Sequence, residues 1–190
     1  VGTHPYGAMW HEMANHSGEL SKDRHVFSKR TTGPPREHPK GMTLSTLCIL
    51  FESTFRQGGR HKYIYRIVEG TPGAADGVGF VFDTRIRRSN IQRMRSIFLN
   101  KHGRLCIRNN ADILVHTDSL PKLCEGSVVF LTVDLDIGIA DFRMQDGWGR
   151  HLGSQTMEFR RSMQDRGSRE TLTSGFFCAI VTGKIVVSLH

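Results

Sequence analysis

Residues 127–142, SVVFLTVDLDIGIADF, carry the pattern on which the fold turns. Side chains alternate across a strand, so Val129, Leu131, Val133 and Leu135 share one side while Val128, Phe130, Thr132 and Asp134 share the other. Ile137-Gly138 is a connection of hairpin length, and residues 139–144 run back beside the first strand. Apolar residues stand on both sides of 127–135, and two packed sheets are the simplest way to cover both.

The same texture extends to both ends from this hairpin. From Thr43 onward, short runs rich in β-branched and aromatic residues are bounded by Gly, Asn and Asp. They predict strands at 44–55, 62–69, 77–83, 96–99, 104–108, 113–116, 127–135, 139–144, 175–181 and 184–189. In 62–69, Tyr63, Tyr65 and Ile67 fall on one face and Ile64, Arg66 and Val68 on the other. Gln57-Gly58-Gly59, Lys101-His102-Gly103 and Thr182-Gly183 are further glycine-bearing connections, so neighbouring strands pair antiparallel. The expectation is an all-β, antiparallel two-sheet sandwich over residues 43–190. Within it, 150–171 is polar, with Arg160, Arg161, Arg166 and Arg169 offset by Glu158, Asp165 and Glu170, and reads as a long surface excursion.

Residues 1–42 differ. Pro5, Pro34, Pro35 and Pro39 and several glycines interrupt every pattern there, and KRTTGPPREHPK at 29–40 reads as extended linker. The segment is expected to be irregular, with a short helix over 8–16 that sets Trp10 and Met13 on one face.

A chain of 190 residues with 38% hydrophobic content has enough apolar mass for one domain with its own core. No apolar run approaches the roughly 20 residues of a membrane-spanning helix, and the first thirty residues hold no secretory hydrophobic core. We expect an intracellular protein, cytoplasmic or nuclear. Because it begins with Val1, it is also expected to be a processed chain or a piece of a longer one. Cys48, Cys106, Cys124 and Cys178 form no CxxC pair. Three of them, Cys48, Cys106 and Cys178, lie in alternating apolar runs and are expected as reduced, buried thiols.

Charge is distributed unevenly. Basic residues number 26 and acidic ones 18, a net charge of +8. The stretch 84–108 alone carries Arg85, Arg87, Arg88, Arg93, Arg95, Lys101, Arg104 and Arg108 with no Asp or Glu. Such a run repels itself unless it is solvated or meets an anion. As a working surface it takes carboxylates or phosphates in guanidinium forks. The plainer reading is a solvated loop that pairs with Asp134, Asp136, Asp141 and Asp146. An acidic protein or peptide is favoured over RNA, because no aromatic RNA-binding strand or Gly-x-x-Gly clamp is present and aromatics are only 8%.

Other motifs lose on geometry. In His11-Glu12-Met13-Ala14-Asn15-His16 the second histidine is five residues from the first, where a zinc helix needs four. Asp134-x-Asp136-x-Gly138 with Asp141 has carboxylates but neither the length nor the terminal Glu of a calcium loop, and reads as turn formers. Gly77-Val-Gly79 is followed by no Gly-Lys-Ser/Thr and opens no helix. No Ser/His/Asp set assembles. We therefore expect no catalytic residues, no metal site and no cofactor.

The hairpin 131–142, in which an apolar strand ends in Asp-x-Asp, turns and returns to Phe142, resembles that of the SPRY family of β-sandwich domains. So does GFFCAIVTGKIVVSL at 175–189, as a closing hairpin, and 63–68 with 77–82 resembles the family's earlier core strands. The resemblance covers about residues 60–189. It implies a concanavalin-like two-sheet sandwich whose loops recognise partner proteins without catalysis. Function then resides in loops rather than in the fold. We expect a protein-interaction module that uses Arg85, Arg87, Arg88, Arg93, Arg95, Lys101 and Arg104 against an acidic partner. The alternative is binding of RNA or an anionic lipid surface by the same stretch.

Overall fold

Alternating strands bury a sheet face only if they pair in register, and the computed structural model does this twice. It describes residues 8–11, 18–29, 36–37, 43–44, 48–85, 95–109, 112–169 and 171–190. The elements are β1 Glu19–Leu20, β2 Val26–Ser28, β3 Arg36–Glu37, β4 Thr43–Leu44, β5 Cys48–Phe51, β6 Arg56–Gln57, β7 Arg60–Gly70, β8 Gly77–Val81, β9 Ser96–Asn100, β10 Arg104–Asn109, β11 Asp112–Ser119, β12 Val128–Asp134, β13 Ile139–Gln145, β14 His151–Met157, α1 Phe159–Gln164, β15 Ser174–Val181 and β16 Ile185–Leu189. The first sheet has the order β1-β2-β16-β7-β12-β13-β14; the second runs β11-β10-β9-β8-β15-β5, with β6 also on β15. Every pairing in both is antiparallel. The two-sheet all-β sandwich expected from the alternation is the fold.

The core lies between the sheets. Tyr63, Tyr65 and Ile67 of β7 meet Val129, Leu131 and Val133 of β12 on the inner face of the first sheet; Phe80, Ile97, Leu105 and Phe177 face them from the second. The Tyr63 and Phe177 rings stack across the gap at 4.7 Å and 3°. Phe177 meets Phe80 edge-on at 5.1 Å. Phe80 leads to Phe82 at 5.2 Å, and Phe82 to Phe159 of α1 at 4.8 Å. Offset and edge contacts of this kind add about 0.5–1.5 kcal/mol each beyond the area they bury.

Four readings from sequence are corrected. Gln57-Gly58-Gly59 and Thr182-Gly183 do not join paired strands: β6 pairs with β15 while β7 lies in the first sheet, and β15 and β16 lie in different sheets, so both connections cross between the layers. The run 44–55 is not one strand: β4 and β5 are separate, and the chain bends at Ser53 and Thr54 before β6. The polar stretch 150–171 contains β14 and α1. β14 sits at the edge of the first sheet and tolerates polar residues, and six-residue α1 buries only Phe159 and Met163, a repeat too short to stand out in sequence. The helix read over 8–16 falls partly outside the described residues, but Ala8–His11 is extended. Trp10 forms a bridge to Glu52, His11 donates to the Phe51 carbonyl at 2.7 Å, and Trp10 donates to the Arg24 carbonyl at 2.8 Å. Among the described residues no helix is long and apolar enough to cross a membrane.

Trp10 is fully buried and meets Tyr63 and Tyr65 edge-on at 6.3 and 6.4 Å. Removing it opens a cavity at one end of the core. Trp10→Ala is expected to cost about 3–5 kcal/mol, read as a lower denaturant midpoint with little change in slope.

Beside it, Glu52 is buried and accepts from Arg56 at 3.1 Å. Burial raises its pKa, with Arg56 and Thr54 opposing. A carboxyl with a raised folded pKa contributes stability below its unfolded value and loses it as pH climbs through the folded one. Unfolding curves of the wild-type chain and Glu52→Gln should therefore diverge as pH rises above the ordinary 4.5, with the wild type losing ground. A pH-independent difference would contradict the assignment.

Candidate functional site

The connection leaving β8 is closed at its base where the Phe82 amide donates to the Arg95 carbonyl at 2.9 Å. Asp83 begins the loop as a turn former, its Oδ1 accepting the Arg85 amide at 3.1 Å. Arg85 is exposed; Arg87, Arg88 and Arg93 lie outside the described residues. Arg95 is half-buried, and its Nε donates to Asn109 Oδ1 at 3.1 Å, at the end of β10.

A cleft of about 530 Å³ opens beside this base. One wall is Phe82, Asp83, Thr84 and Arg95; the other is Arg169 and Thr171 to Thr173, from the segment between α1 and β15, with Ser174 at the start of β15. Among the described residues, two arginines from separate connections thus line one concavity with four hydroxyls and a single carboxylate. Leu172, buried in its wall, has φ of +50°, a left-handed conformation that costs a branched residue about 1–3 kcal/mol. Neighbours on both sides pin it: Thr171 O accepts from Arg160 Nε at 3.1 Å and Thr173 O from the Gly58 amide at 2.9 Å.

Arg160 reads in sequence as one of several solvated arginines, yet it clamps this wall to the β12–β13 turn. Its other guanidinium nitrogens donate to Asp136 O at 2.8 Å and Leu135 O at 2.5 Å, and its stem lies over Gly138, where φ is +75° and a Cβ would collide with it. Arg169 was equally hidden. The one sequence signal for this wall is Leu172, a lone apolar residue in the polar run that precedes the last hairpin.

Lys101 and Arg104 lie at the other end of β9. Asn100 Oδ1 accepts the amides of His102 and Arg104, each at 3.0 Å, and shapes that turn. Exposed Arg104 lines a second hollow with His102, Val115, Ser119, Pro121 and Lys122. Five residues of β9 separate the ends, about 17 Å at ~3.4 Å per residue. The described members of the basic run therefore form two groups, Arg85 with Arg95 and Lys101 with Arg104. Half-buried Arg108 stands opposite Ser96, on the Arg95 side, and burial lowers its pKa.

The acids proposed as local partners are engaged elsewhere. Asp134 Oδ1 accepts the amides of Asp136 and Ile137, Asp136 that of Gly59, Asp146 those of Trp148 and Arg150, and Asp141 the Thr156 hydroxyl. Of the thiols expected to be buried, Cys178 is fully so and its pKa is pushed well up; Cys106 is half-buried and also raised by burial. The side chain of Cys48 lies outside the described set.

Among solved structures, the chain is similar to the SPRY domain of human HERC1, with a TM-score of 0.59 and 10% identity over 95% of this chain and 96% of that one. It is also similar to the TRIM65 PSpry domain, with a TM-score of 0.58 and 15% identity over 97% of this chain and 92% of that one. A carbohydrate-binding module, CBM66 of Bacillus subtilis, superposes more loosely, with a TM-score of 0.46. No protein-family profile and no curated protein matches the sequence. The fold is a SPRY-like β-sandwich, as the resemblance implies, but of its two expected hairpins only 131–142 is paired: in 175–189, β15 belongs to the second sheet and β16 to the first. At this identity the likeness concerns fold alone.

Arg160→Ala should destabilise the chain by about 2 kcal/mol, since three carbonyls lose a charged donor, whereas Arg161→Ala should stay within about 0.5 kcal/mol. Arg161 is 76% exposed and, among the described residues, reaches only Glu158, at 3.8 Å. Thermal unfolding of the two variants side by side checks both.

Proposed function

We propose that this SPRY-like sandwich is a noncatalytic protein-interaction module that engages an acidic partner at the end of the second sheet bearing the Arg95 cleft. The observation that carries the reading is that Arg95 and Arg169 line one cleft, with exposed Arg85 on the loop at its rim. Guanidinium forks match carboxylates bidentately, and the four hydroxyls offer further donors. Among the described residues, no histidine or cysteine lines the cleft to act as base or nucleophile. The SPRY resemblance adds that loops recognise the partner, and the lining comes from two loops. Lys101 and Arg104, at the far end of β9, act at most as an outlying contact.

Affinity capture with the wild-type chain beside Arg85→Glu/Arg87→Glu/Arg88→Glu and Arg95→Glu tests this. One protein retained by the wild type, lost from both variants and rebinding when purified is the expected result. Loss of RNA or of anionic vesicles instead, with affinity falling log-linearly as salt rises, would transfer the stretch to phosphate binding. Unchanged capture would return it to a solvated loop.

A further inference from the structure

A second cationic surface lies on the outer face of the first sheet, away from the cleft. With Val129, Leu131 and Val133 turned into the core, Phe130 points outward from the central strand β12. It stands in register with Ile64 of β7 and Arg143 of β13. Lys62 Nζ lies 5.2 Å and Arg143 Cζ 5.9 Å from the centre of its ring. Arg66 emerges on the same face of β7, one alternation beyond Ile64. Lys62, Arg66 and Arg143 are exposed, and among the described residues no carboxylate pairs with any of them. Two cations over one ring, with a third nearby, repel one another until an anion arrives.

The strip continues to the tip of the β13–β14 hairpin. Arg143 Nε donates to His151 Nδ1 at 3.3 Å, and Arg150 is exposed beside it. At the tip, Trp148 is 96% exposed. The turn that presents it is ordered: Asp146 Oδ1 accepts the amides of Trp148 and Arg150, each at 2.9 Å, and Asp146 N donates to Arg150 O at 3.0 Å. A tryptophan held in water on a fixed turn is an unused stacking surface.

We infer that this strip binds single-stranded nucleic acid, with Lys62, Arg66, Arg143 and Arg150 on phosphates and Trp148 stacked on a base. Charge complementarity requires a polyanion, and three observations choose among polyanions. An acidic protein partner needs an apolar, desolvated centre to gain affinity, and here the ring at the centre is capped by charge. A flexible strand can follow the path from the sheet face to the turn, where the exposed Trp148 ring is available to a base. Cationic grooves interspersed with aromatic rings are the general solution for single strands, tolerant of sequence because every base offers a π-face. The inference uses none of the residues of the arginine cleft.

The chain contains two tryptophans, and Trp10 is buried, so a signal from the exposed indole can be isolated. Titrating the full chain with an oligouridine of about twelve nucleotides should raise the anisotropy of a labelled strand and quench tryptophan emission; in Trp148→Phe the quenching disappears. Affinity should fall with salt with a slope of about −3 in log–log form, for four phosphate contacts on a single strand. Lys62→Gln/Arg143→Gln should lower that slope by about 1.4, and Trp148→Ala should weaken binding about ten-fold. All three substituted positions are exposed, and melting curves matching the wild type confirm intact folding. Equal affinity in the Lys62/Arg143 variant overturns the inference. So does loss only in Arg85→Glu/Arg95→Glu, which assigns the strand to the cleft, or equally tight binding of polyglutamate or phosphatidylserine vesicles.

Discussion

Everything in this sandwich is referred to the contact between Tyr63 and Phe177. One ring belongs to β7, near the centre of the first sheet, the other to β15, in the second, and their parallel stacking at 4.7 Å sets how the two layers face each other at that point. Both residues are fully buried. A ring pair of this size leaves little freedom to slide, because a shift of one residue along β7 would replace Tyr63 by Lys62 or Ile64, and one along β15 would replace Phe177 by Phe176 or Cys178, either of which breaks the stack. Tyr63 also carries the Trp10 indole on its edge, and Phe177 lies 5.8 Å from the Arg56 guanidinium. The buried Glu52–Arg56 pair and the N-terminal tryptophan are thus organised around one stack.

From there the aromatic chain runs to the surface. Phe80 and Phe82 extend it along β8, and Phe159 receives it in α1. Phe82 is at once a ring of this chain, the residue closing the β8–β9 loop and part of the cleft wall. Leu172 opposite is held left-handed by Arg160 and Gly58. The cleft therefore has walls pinned by the core on one side and by a charged clamp on the other, the rigidity that recognition by loops demands.

The interior of this architecture is legible in the sequence, and its edges are not. Strict alternation in 62–69 and 127–135 identifies β7 and β12 because their inner faces are continuously apolar, and the Ile137-Gly138 turn after β12 predicts its antiparallel pairing with β13. β14 escapes because an edge strand buries little: only Met157 among its residues reaches the core. α1 escapes because six residues contain one apolar repeat, and Trp10 because surrounding glycine and proline mark its segment as irregular while its burial depends on residues far along the chain. Arg160 is an instructive case. Its neighbours Arg161 and Arg166 are equally basic, and only the approach of the Asp136 and Leu135 carbonyls separates a structural clamp from a solvated charge.

The same reasoning explains why charge run and charged surface are different things here. Eight basic residues in 84–108 match the net excess of the whole chain, so inspection of the sequence leads to that stretch and stops. Folding divides it, because β9 carries its described members to opposite ends of a sheet. Lys62, Arg66, Arg143 and Arg150 draw no notice in sequence, each standing among polar or alternating residues. Pairing of β7 and β13 with β12 then brings the first three onto one face around Phe130. Antiparallel pairing converts residues separated by eighty positions into neighbours about two strand spacings, roughly 10 Å, apart. In an all-β fold the electrostatic surface is therefore a property of register, and a one-residue slip of β12 against β7 would exchange Phe130 for Val129 and dismantle it.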